Sequence, residues 1–429
     1  MNEYYDVLVV GAGPAGLAAA QAATSHGARV GLIDAQATAG GQVWRHDVRH
    51  AAPSLARRSI GGALTHSRVD WLARTQVVAV ETGSLFVEDP RRGSRLDYGA
   101  LVLATGAREL LLPFPGWTLP GVTGAGGLQA LAKQGWPLAG RRVLIAGSGP
   151  LLLAAAATAK RHGATVLGIY EQAGADAVRR FAGSLWRWPA KAIQAALLRG
   201  QLAGVPYRCG SVVRRALGDS TLRTVELEGP HGIEQVPCDQ LAIGYGLLPN
   251  VELAQLLGCE LRWEGAHPQV STDIWQQTNI DTVYAAGEVC GIGGRDSARV
   301  EGAIAGHAAA GARSAAMALQ PRRRHARAFA EALRTRFALD ARVYALATPD
   351  TLICRCEDVA LSDMDGYTDT RSAKLATRCG MGACQGRICG AALAELGRFS
   401  GGGQRPPLFP ARLSTLGDTD FFPLATIEE

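Results

Sequence analysis

The sequence predicts an α/β protein made of two βαβ units, followed by a small helical domain that carries clustered cysteines. Two observations predict the βαβ units. An apolar strand, a glycine-rich turn and an alanine-rich helix follow one another near the N-terminus, and the same order returns near residue 141. The third observation is that five of the nine cysteines fall between residues 354 and 389. A chain of 429 residues has room for roughly two to three domains.

Composition indicates a globular protein, with 47% hydrophobic and 19% charged residues. No apolar run approaches the roughly 20 residues that span a bilayer, so no transmembrane segment is expected. The N-terminus passes straight into the first strand without the features of a secretion signal. We therefore expect a cytoplasmic protein, with peripheral attachment to the inner membrane face left open.

The net charge of +6 includes a basic stretch that begins at Arg322–Arg324 and continues through Arg327, Arg334 and Arg336. Nucleic-acid binding would need this stretch beside stacking aromatic residues or a recognition helix. Neither is present, so the stretch is interpreted as a solvated linker face, and no nucleic-acid partner is expected.

The first unit begins with the apolar strand 6–10, DVLVV, and continues into a turn with three spaced glycines. Gly11 allows the tight turn, Gly13 allows the backbone to approach a pyrophosphate, and Gly16 allows the helix to pack on the strand. A second strand ends at Asp34, 23 residues after Gly11, where an acid can bind a ribose hydroxyl. This arrangement predicts a Rossmann-like dinucleotide-binding domain.

Further residues connect this unit to a flavin. Gly41 permits close backbone approach, and Gln42 offers an amide to a flavin or its phosphates. Together with LVLATGARE around Thr105 and Gly106, this part resembles the two-dinucleotide-domain flavoprotein family, in which such a site holds FAD. The resemblance spans the first 315 residues.

The segment VYAAGEVCGIGG, around Gly287 and Glu288, adds to this resemblance. The family usually has an aspartate after that glycine, which binds the ribityl chain of the flavin, whereas this sequence has Glu288. The carboxylate is retained, so the resemblance implies that Glu288 is an FAD ligand whose contact differs by one methylene. The alternative is a glutamate in a surface loop.

The second unit repeats the strand, turn and helix from residue 141 with an incomplete glycine pattern. Gly147 and Gly149 fill the first two glycine positions, but Leu152 occupies the third. Glu171 lies 24 residues after Gly147 and would favour NAD over NADP, because a carboxylate repels a 2′-phosphate. Two interpretations stay open: an NAD(P) site, or a Rossmann-like fold that binds no nucleotide.

The clustered cysteines predict a metal centre, because thiols in a cytosolic chain stay reduced. Cys354 and Cys356 lie in CRCED, and Cys379, Cys384 and Cys389 lie in TRCGMGACQGRIC. Four thiolates suit zinc or a [2Fe-2S] cluster. The C-x-C spacing is unusual for structural zinc, which favours the cluster.

These two segments resemble the small [2Fe-2S] domain related to bacterioferritin-associated ferredoxin. The same domain, fused to a two-Rossmann flavoprotein, occurs in the FAD subunits of opine oxidases, hydrogen cyanide synthase and D-hydroxyproline dehydrogenase, and in anaerobic glycerol-3-phosphate dehydrogenase. The resemblance implies a cluster bound by Cys354, Cys356, Cys384 and Cys389. Cys379 falls outside the matched pattern and is interpreted as a packing or spare thiol.

The expected organisation has five parts. These are an FAD domain from 1–113 and 250–315, a second Rossmann-like NAD(P)-type domain from 114–249, a linker and helix from 316–349, the [2Fe-2S] domain from 350–400, and an extended tail from 401–429. Leu408, Phe409, Phe421 and Phe422 would let this tail lie over the protein's own domains or over a partner.

No convincing set of acid, base and nucleophile accompanies the flavin motifs, so the catalytic residues are unassigned. The resemblance implies an electron-transfer subunit of a heteromeric dehydrogenase acting on C–N bonds. Its partner would be a substrate-oxidising flavoprotein subunit, with room for a further small iron–sulfur subunit. Two alternatives are a stand-alone NAD(P)H-dependent reductase of a ferredoxin-like protein, and a scaffold in which FAD and metal are structural.

Overall fold

The computed structural model describes residues 3–399 and 403–417. The strands are β1 Glu3–Val10, β2 Val30–Asp34, β3 Val69–Ala73, β4 Gln76–Glu81, β5 Ser84–Glu88, β6 Gly93–Leu103, β7 Ala107–Glu109, β8 Val122–Gly124, β9 Arg142–Gly147, β10 Thr165–Glu171, β11 Tyr207–Cys209, β12 Val212–Leu217, β13 Thr224–Gly229, β14 Gly232–Pro237, β15 Gln240–Gly244, β16 Leu247–Pro249, β17 Leu261–Glu264, β18 His267–Val270, β19 Val283–Ala285, β20 Leu352–Cys354 and β21 Val359–Ala360. The helices are α1 Pro14–Thr24, α2 Ser54–Leu64, α3 Ala125–Lys133, α4 Leu151–Arg161, α5 Ala175–Ser184, α6 Pro189–Gln201, α7 Glu252–Leu257, α8 Gly294–Ala309, α9 Arg313–Ala318, α10 Gln320–Arg336, α11 Ala341–Tyr344, α12 Thr370–Thr377, α13 Cys389–Glu395 and α14 Leu413–Leu416. Single 3-10 turns cover Leu185–Arg187, Gly287–Cys290 and Ser362–Met364.

The first unit is built on a seven-stranded sheet with the order β3-β2-β1-β6-β5-β4, in which β19 also pairs with β6. β1 lies parallel to β2 and to β6, as the apolar run at its C-terminal end predicts. β19 returns to this sheet from far along the chain and places the segment after it beside the first glycine turn. The predicted α/β class is confirmed.

Small residues let α8 pack directly on α1. A Cβ atom on Gly302 would lie 2.0 Å from the carbonyl oxygen of Ala15, and one on Gly306 would lie 2.2 Å from that of Ala19. These contacts leave no space for a larger side chain. They hold the C-terminal half of α8 against the N-terminal helix of the first unit, and Gly287, in the turn before α8, also lies close to Ala15.

The second unit is built on a five-stranded parallel sheet with the order β11-β10-β9-β15-β8. An antiparallel three-stranded sheet of β12, β13 and β14 follows β11 in the chain. The chain passes between the two units through β7 and β16, which pair antiparallel. These two short strands therefore lie where the two units meet.

The connector α10 packs on the second unit through the aromatic ring of Phe329. The ring of Phe329 lies 5.3 Å from that of Trp188 and 6.1 Å from that of Phe181, measured between centroids. The interpretation of the basic stretch as a solvated face is wrong in part. Arg322 and Arg324 are exposed, whereas Arg323 is buried because α10 turns it toward the buried carboxylate of Glu301.

The cysteine segment folds as the β20-β21 hairpin with the short helices α12 and α13. The described part of the tail lies on the first unit, where Leu408 is buried and its N–H donates to the carbonyl oxygen of Val78 at 2.7 Å. Phe421 and Phe422 fall outside the described residues. Within the described ranges, no helix has the length and apolar character needed to cross a membrane.

Candidate cofactor sites

The first glycine-rich turn lies between β1 and α1 and is shaped by close backbone contacts. Gly11 has a φ of +105°, and a Cβ atom there would lie 2.2 Å from the carbonyl oxygen of Ala104. A Cβ atom on Gly16 would lie 1.8 Å from the carbonyl oxygen of Gly11. Another side chain at either position would require the backbone to move, so the turn depends on both glycines.

Gly13 and Gly41 face each other beside this turn. A Cβ atom on Gly41 would lie 2.9 Å from the Cα atom of Gly13, whereas one on Gly13 would meet nothing closer than 3.9 Å. No side chain within the described residues caps the N-terminus of α1. An uncapped helix N-terminus beside glycines is a favourable place for a phosphate. These features fit the pyrophosphate of FAD.

Asp34 lies at the end of β2 and orders the same turn. Its Oδ2 accepts a hydrogen bond from the N–H of Ala12 at 2.8 Å, and its Oδ1 accepts one from the N–H of Gln36 at 2.8 Å. Burial raises the pKa of Asp34, although both hydrogen bonds oppose that shift. Gln42 lies on the exposed surface, where its amide oxygen accepts a hydrogen bond from Arg45 at 2.6 Å.

Thr105 and Gly106 join the first unit to the strand that returns from the second. Thr105 Oγ1 donates to the carbonyl oxygen of Asn250 at 2.7 Å, and Asn250 Nδ2 donates back to the carbonyl oxygen of Thr105 at 3.0 Å. The N–H of Asn250 donates to the carbonyl oxygen of Gly106. The backbone at Thr105 and Gly106 is therefore held by Asn250.

Glu288 is partly buried and turned toward the start of α8. Its carboxylate accepts hydrogen bonds from the N–H groups of Gly293 at 3.1 Å and Gly294 at 2.9 Å. The neighbouring buried acid Glu301 accepts from the N–H of Gly287 at 3.1 Å and from Arg327 Nε at 2.7 Å. The interpretation of Glu288 as a glutamate in a surface loop is therefore wrong. Its role as an FAD ligand stays a prediction.

We expect Glu288 to make the stability of the fold depend on pH, and Glu288→Gln to remove that contribution. Burial raises its pKa from 4.5 to about 7, so the folded protein keeps a proton that the unfolded chain releases between these values. The free energy of unfolding should therefore fall as the pH rises through this window, by up to ~3 kcal/mol from this group. Denaturant unfolding of the FAD-free chain, at about pH 5 and about pH 8, should show this loss in the wild type and not in Glu288→Gln. An equal pH dependence in both proteins would contradict the assignment.

The second glycine-rich turn, between β9 and α4, has a similar backbone. Gly147 has a φ of +135°, and a Cβ atom there would lie 2.1 Å from the carbonyl oxygen of Gly244. Glu171, at the end of β10, is fully buried and accepts hydrogen bonds from the N–H of Gly149 at 2.7 Å and from the hydroxyl of Tyr207 at 3.2 Å. Burial raises the pKa of Glu171. Its carboxylate is thus already paired within the chain.

The segment after α10 covers this second turn. The Phe337 ring lies 3.7 Å from the position of a Cβ atom on Gly149, and Ser148 Oγ donates to the carbonyl oxygen of Phe337 at 2.9 Å. Gln172 Nε2 donates to the carbonyl oxygen of Ala338 at 3.0 Å. The chain itself therefore lies on the turn where a nucleotide pyrophosphate would bind.

The five clustered cysteines come together in the structure. The sulfur atoms of Cys354, Cys379 and Cys389 lie within 4.8 Å of one another, and all three residues are buried. Cys356 hydrogen-bonds to Cys384, and Cys384 is close enough to Cys389 to influence its pKa. Cys379, interpreted from the sequence as a packing or spare thiol, therefore lies among the proposed ligands.

Glycines bring the two cysteine segments into contact. A Cβ atom on Gly382 would lie 2.1 Å from the Cβ atom of Cys356, and one on Gly380 would lie 3.8 Å from the sulfur of Cys389. Cys354, Cys379 and Cys389 are buried, Cys384 is partly buried and Cys356 is exposed. Thiols of this number suit a [2Fe-2S] cluster and also tetrahedral zinc. The residues present therefore fit the proposed cluster without deciding between the two metals.

The cysteine segment is held against the first unit by an arginine network. Arg108, in β7, forms an ion pair with Glu252 at 2.8 Å and donates to the carbonyl oxygen of Arg387 at 3.3 Å. Arg387 lies in the chain between Cys384 and Cys389. Arg108 lies in β7, which pairs with β16. Asn250 directly follows β16 and is hydrogen-bonded to Thr105. The network thus links the cysteines to the neighbourhood of the flavin motifs.

Sequence reasoning missed Asn250 and Glu301, which contact the first site, and Asp47, which joins the two units. Asn250 gave no signal, because its partner Thr105 is 145 residues away in the chain. Glu301 gave a weak one, since it is an acid next to the small residues of GAIAGHAAA on a helix. Asp47 was overlooked in the motif HDVRH, although it contacts His162 in the second unit at 3.0 Å.

Comparison with known proteins agrees with this architecture. The pyridine nucleotide-disulphide oxidoreductase family matches residues 5–313. An opine oxidase subunit of Agrobacterium tumefaciens is 31% identical over 92% of this chain and 86% of its own length. The hydrogen cyanide synthase subunit HcnB of Pseudomonas protegens is 32% identical over 89% of each chain. L-proline dehydrogenase from P. horikoshii, at 20% identity, has a similar fold with a TM-score of 0.65 over 96% of this chain and 79% of that chain.

The fold and the first glycine site together define a flavoprotein with two Rossmann-type units. The chain belongs to the pyridine nucleotide-disulphide oxidoreductase family. It is an FAD-dependent oxidoreductase.

Proposed function

We propose that this chain is the electron-transfer subunit of a heteromeric dehydrogenase that acts on the C–N bond of an amino or imino acid. A separate flavoprotein subunit would oxidise an opine, hydroxyproline or glycine type of substrate, and this chain would receive the electrons. Its relatives support this proposal, because they are subunits of opine oxidase and hydrogen cyanide synthase. The alpha chain of sarcosine oxidase from Rhizobium meliloti is a further relative, 29% identical over 60% of this chain and 26% of its own length.

The observation that carries the proposal is the contact between the cysteine segment and the first unit. Arg387 lies between two of the proposed metal ligands, and Arg108 binds its carbonyl oxygen from the strand that follows Thr105 and Gly106. Glu252 pairs with Arg108 and lies 3.9 Å from Arg387. A cysteine domain fixed in this way suits electron transfer between two centres in one chain.

Two cofactors would supply the redox chemistry: FAD accepts two electrons together, and a [2Fe-2S] cluster passes them on singly. Gly11, Gly13, Gly16, Gly41 and Asp34 would bind the phosphates and ribose of FAD. The proposed cluster ligands are Cys354, Cys356, Cys384 and Cys389. Because Cys379 lies close to two of these sulfurs, its exclusion from the ligand set needs a direct test.

The stand-alone NAD(P)H-dependent reductase is the less favoured function. It would need a nucleotide on the second turn, where Phe337 lies against Gly149 and Glu171 is fully buried. Leu152, at the third glycine position, is fully buried in the core of the second unit. These contacts favour an electron donor other than a nicotinamide nucleotide.

We expect NADH and NADPH to leave the flavin absorbance of the isolated chain unchanged, because Phe337 and its neighbours cover the second turn. The measurement is an anaerobic titration followed by visible absorption, with dithionite as the positive control for a reducible flavin. Rapid bleaching by one equivalent of NADH would contradict this and restore the reductase as the leading function.

The proposal is tested by turnover of the complex, isolated with its partner subunits from the native host. Replacing the four proposed cysteine ligands with serine should abolish electron delivery to the natural acceptor. Cys209→Ser, on a half-buried thiol at β11 in the second unit, is the matched control and should retain turnover. Normal turnover without the four cysteines would overturn the proposal.

A further inference from the structure

Three side chains that neither flavin nor cluster uses converge between the two units. Asp47 and His50 lie in the loop that follows Gly41, and His162 lies at the C-terminal end of α4. Each offers one ligand atom, and these atoms lie within 4.8 Å of one another. The side chain of His162 is fully buried, and the side chain of Asp47 is 9% exposed.

The distances suit a shared metal ion. Asp47 Oδ2 lies 3.0 Å from His162 Nε2 and 3.3 Å from His50 Nδ1. In a tetrahedral zinc site, bonds of about 2.0–2.1 Å place neighbouring ligand atoms roughly 3.3 Å apart. The two imidazole rings meet edge to face with their centroids 4.7 Å apart, so both can approach one point.

Backbone contacts hold the carboxylate of Asp47 in place. Its Oδ1 accepts hydrogen bonds from the N–H groups of Arg49 at 2.9 Å and His50 at 3.2 Å. Oδ2 is directed to His162, and both oxygens lie 3.3 Å from His50 Nδ1. A ligand oriented by its own loop in this way is typical of metal sites.

The surrounding charges limit which metal would bind. Burial lowers the pKa of Lys133; the nearby Asp47 carboxylate opposes this shift, and the neighbouring Arg161 and Arg45 add to it. These cations oppose an ion held mainly by charge, such as Ca²⁺ or Mg²⁺. Neutral imidazole donors instead favour zinc and related transition metals.

We propose that Asp47, His50 and His162 bind one zinc-type divalent ion, with a fourth position left for water. The ion joins the loop beyond Gly41 to the second unit. His162 directly follows α4, so the metal ties the first nucleotide unit to the second at a point separate from β7 and β16.

The test is titration of the chelator-treated full chain with Co²⁺, with metal content measured after removal of excess ion. We expect one equivalent bound with d–d absorption bands typical of nitrogen and oxygen ligands. Any Co²⁺ held by the cysteines is counted separately, because it adds a thiolate charge-transfer band. Asp47→Asn, His50→Gln and His162→Gln should each weaken binding at least tenfold. His26→Gln, in the separate exposed pair with His307, is the control and should bind normally.

Two results would overturn the proposal. One is the absence of this bound equivalent in the wild type, which would make the group a hydrogen-bonded contact alone. The other is unchanged Co²⁺ affinity in the three variants. His50 is half-exposed, so its replacement tests metal binding without emptying a buried position.

Discussion

Replacing Cys384 with serine is expected to remove iron from the chain while FAD stays bound. A [2Fe-2S] cluster needs four protein ligands, and Cys384 is paired with Cys356 at one side of the group of sulfurs. Iron content should fall at least tenfold from about two atoms per chain, and the EPR signal of the reduced cluster should disappear. Because Cys384 is only half-buried, a serine oxygen there should not disrupt packing.

Cys379→Ser is the informative comparison, since the sulfur of Cys379 lies within 4.8 Å of those of Cys354 and Cys389. The proposed ligand set predicts that this variant keeps its iron. Loss of iron in Cys379→Ser with retention in Cys384→Ser would show that the ligand set is wrong. Cys238→Ser, in the core of the second unit, controls for the general effect of replacing a buried thiol.

Gly13→Ala is expected to weaken FAD binding by on the order of a hundredfold, equivalent to about 2.7 kcal/mol. Gly13 has a φ of −77°, and a Cβ atom there meets no protein atom closer than 3.9 Å. The fold therefore accepts alanine, and the added methyl group would occupy the space where the pyrophosphate approaches the backbone. FAD content after purification and a fluorescence titration of the FAD-free chain measure the effect.

Gly61→Ala provides the matched control. Gly61 lies within α2, and a Cβ atom there meets no atom within 4 Å. FAD affinity should be unchanged, with a small gain in helix stability of up to about 1 kcal/mol. Normal FAD content in Gly13→Ala would mean that the pyrophosphate does not lie against this turn.

The first nucleotide turn could be predicted from sequence because its determinants are local. The spacing of Gly11, Gly13 and Gly16, the strand before them and the acid at Asp34 lie within one βαβ unit, and the turn depends on backbone geometry specific to glycine. The second turn has only part of this pattern, with Leu152 at the third glycine position, so its occupancy stayed open. What covers it is Phe337, whose carbonyl group binds Ser148 across 189 residues of chain.

The cysteine group shows a similar limit. Spacing identified five thiols as one cluster, but it could not show that Cys379 approaches Cys354 and Cys389, because that depends on how the loop at Gly380 and Gly382 folds. The direction of Glu288 also escaped prediction. It is determined by the N–H groups of Gly293 and Gly294, which lie at the start of a helix packed on α1.

The central claim, that electrons pass through FAD and an iron–sulfur cluster in this chain, is tested most directly by anaerobic spectroscopy. The chain is purified alone and with its co-purifying subunits, and absorption and EPR spectra are recorded before and after dithionite reduction. The proposed function predicts flavin bands together with a reduced [2Fe-2S] signal that depends on Cys354, Cys356, Cys384 and Cys389. Flavin accompanied by zinc and no iron would contradict it and leave a flavoprotein with a structural metal.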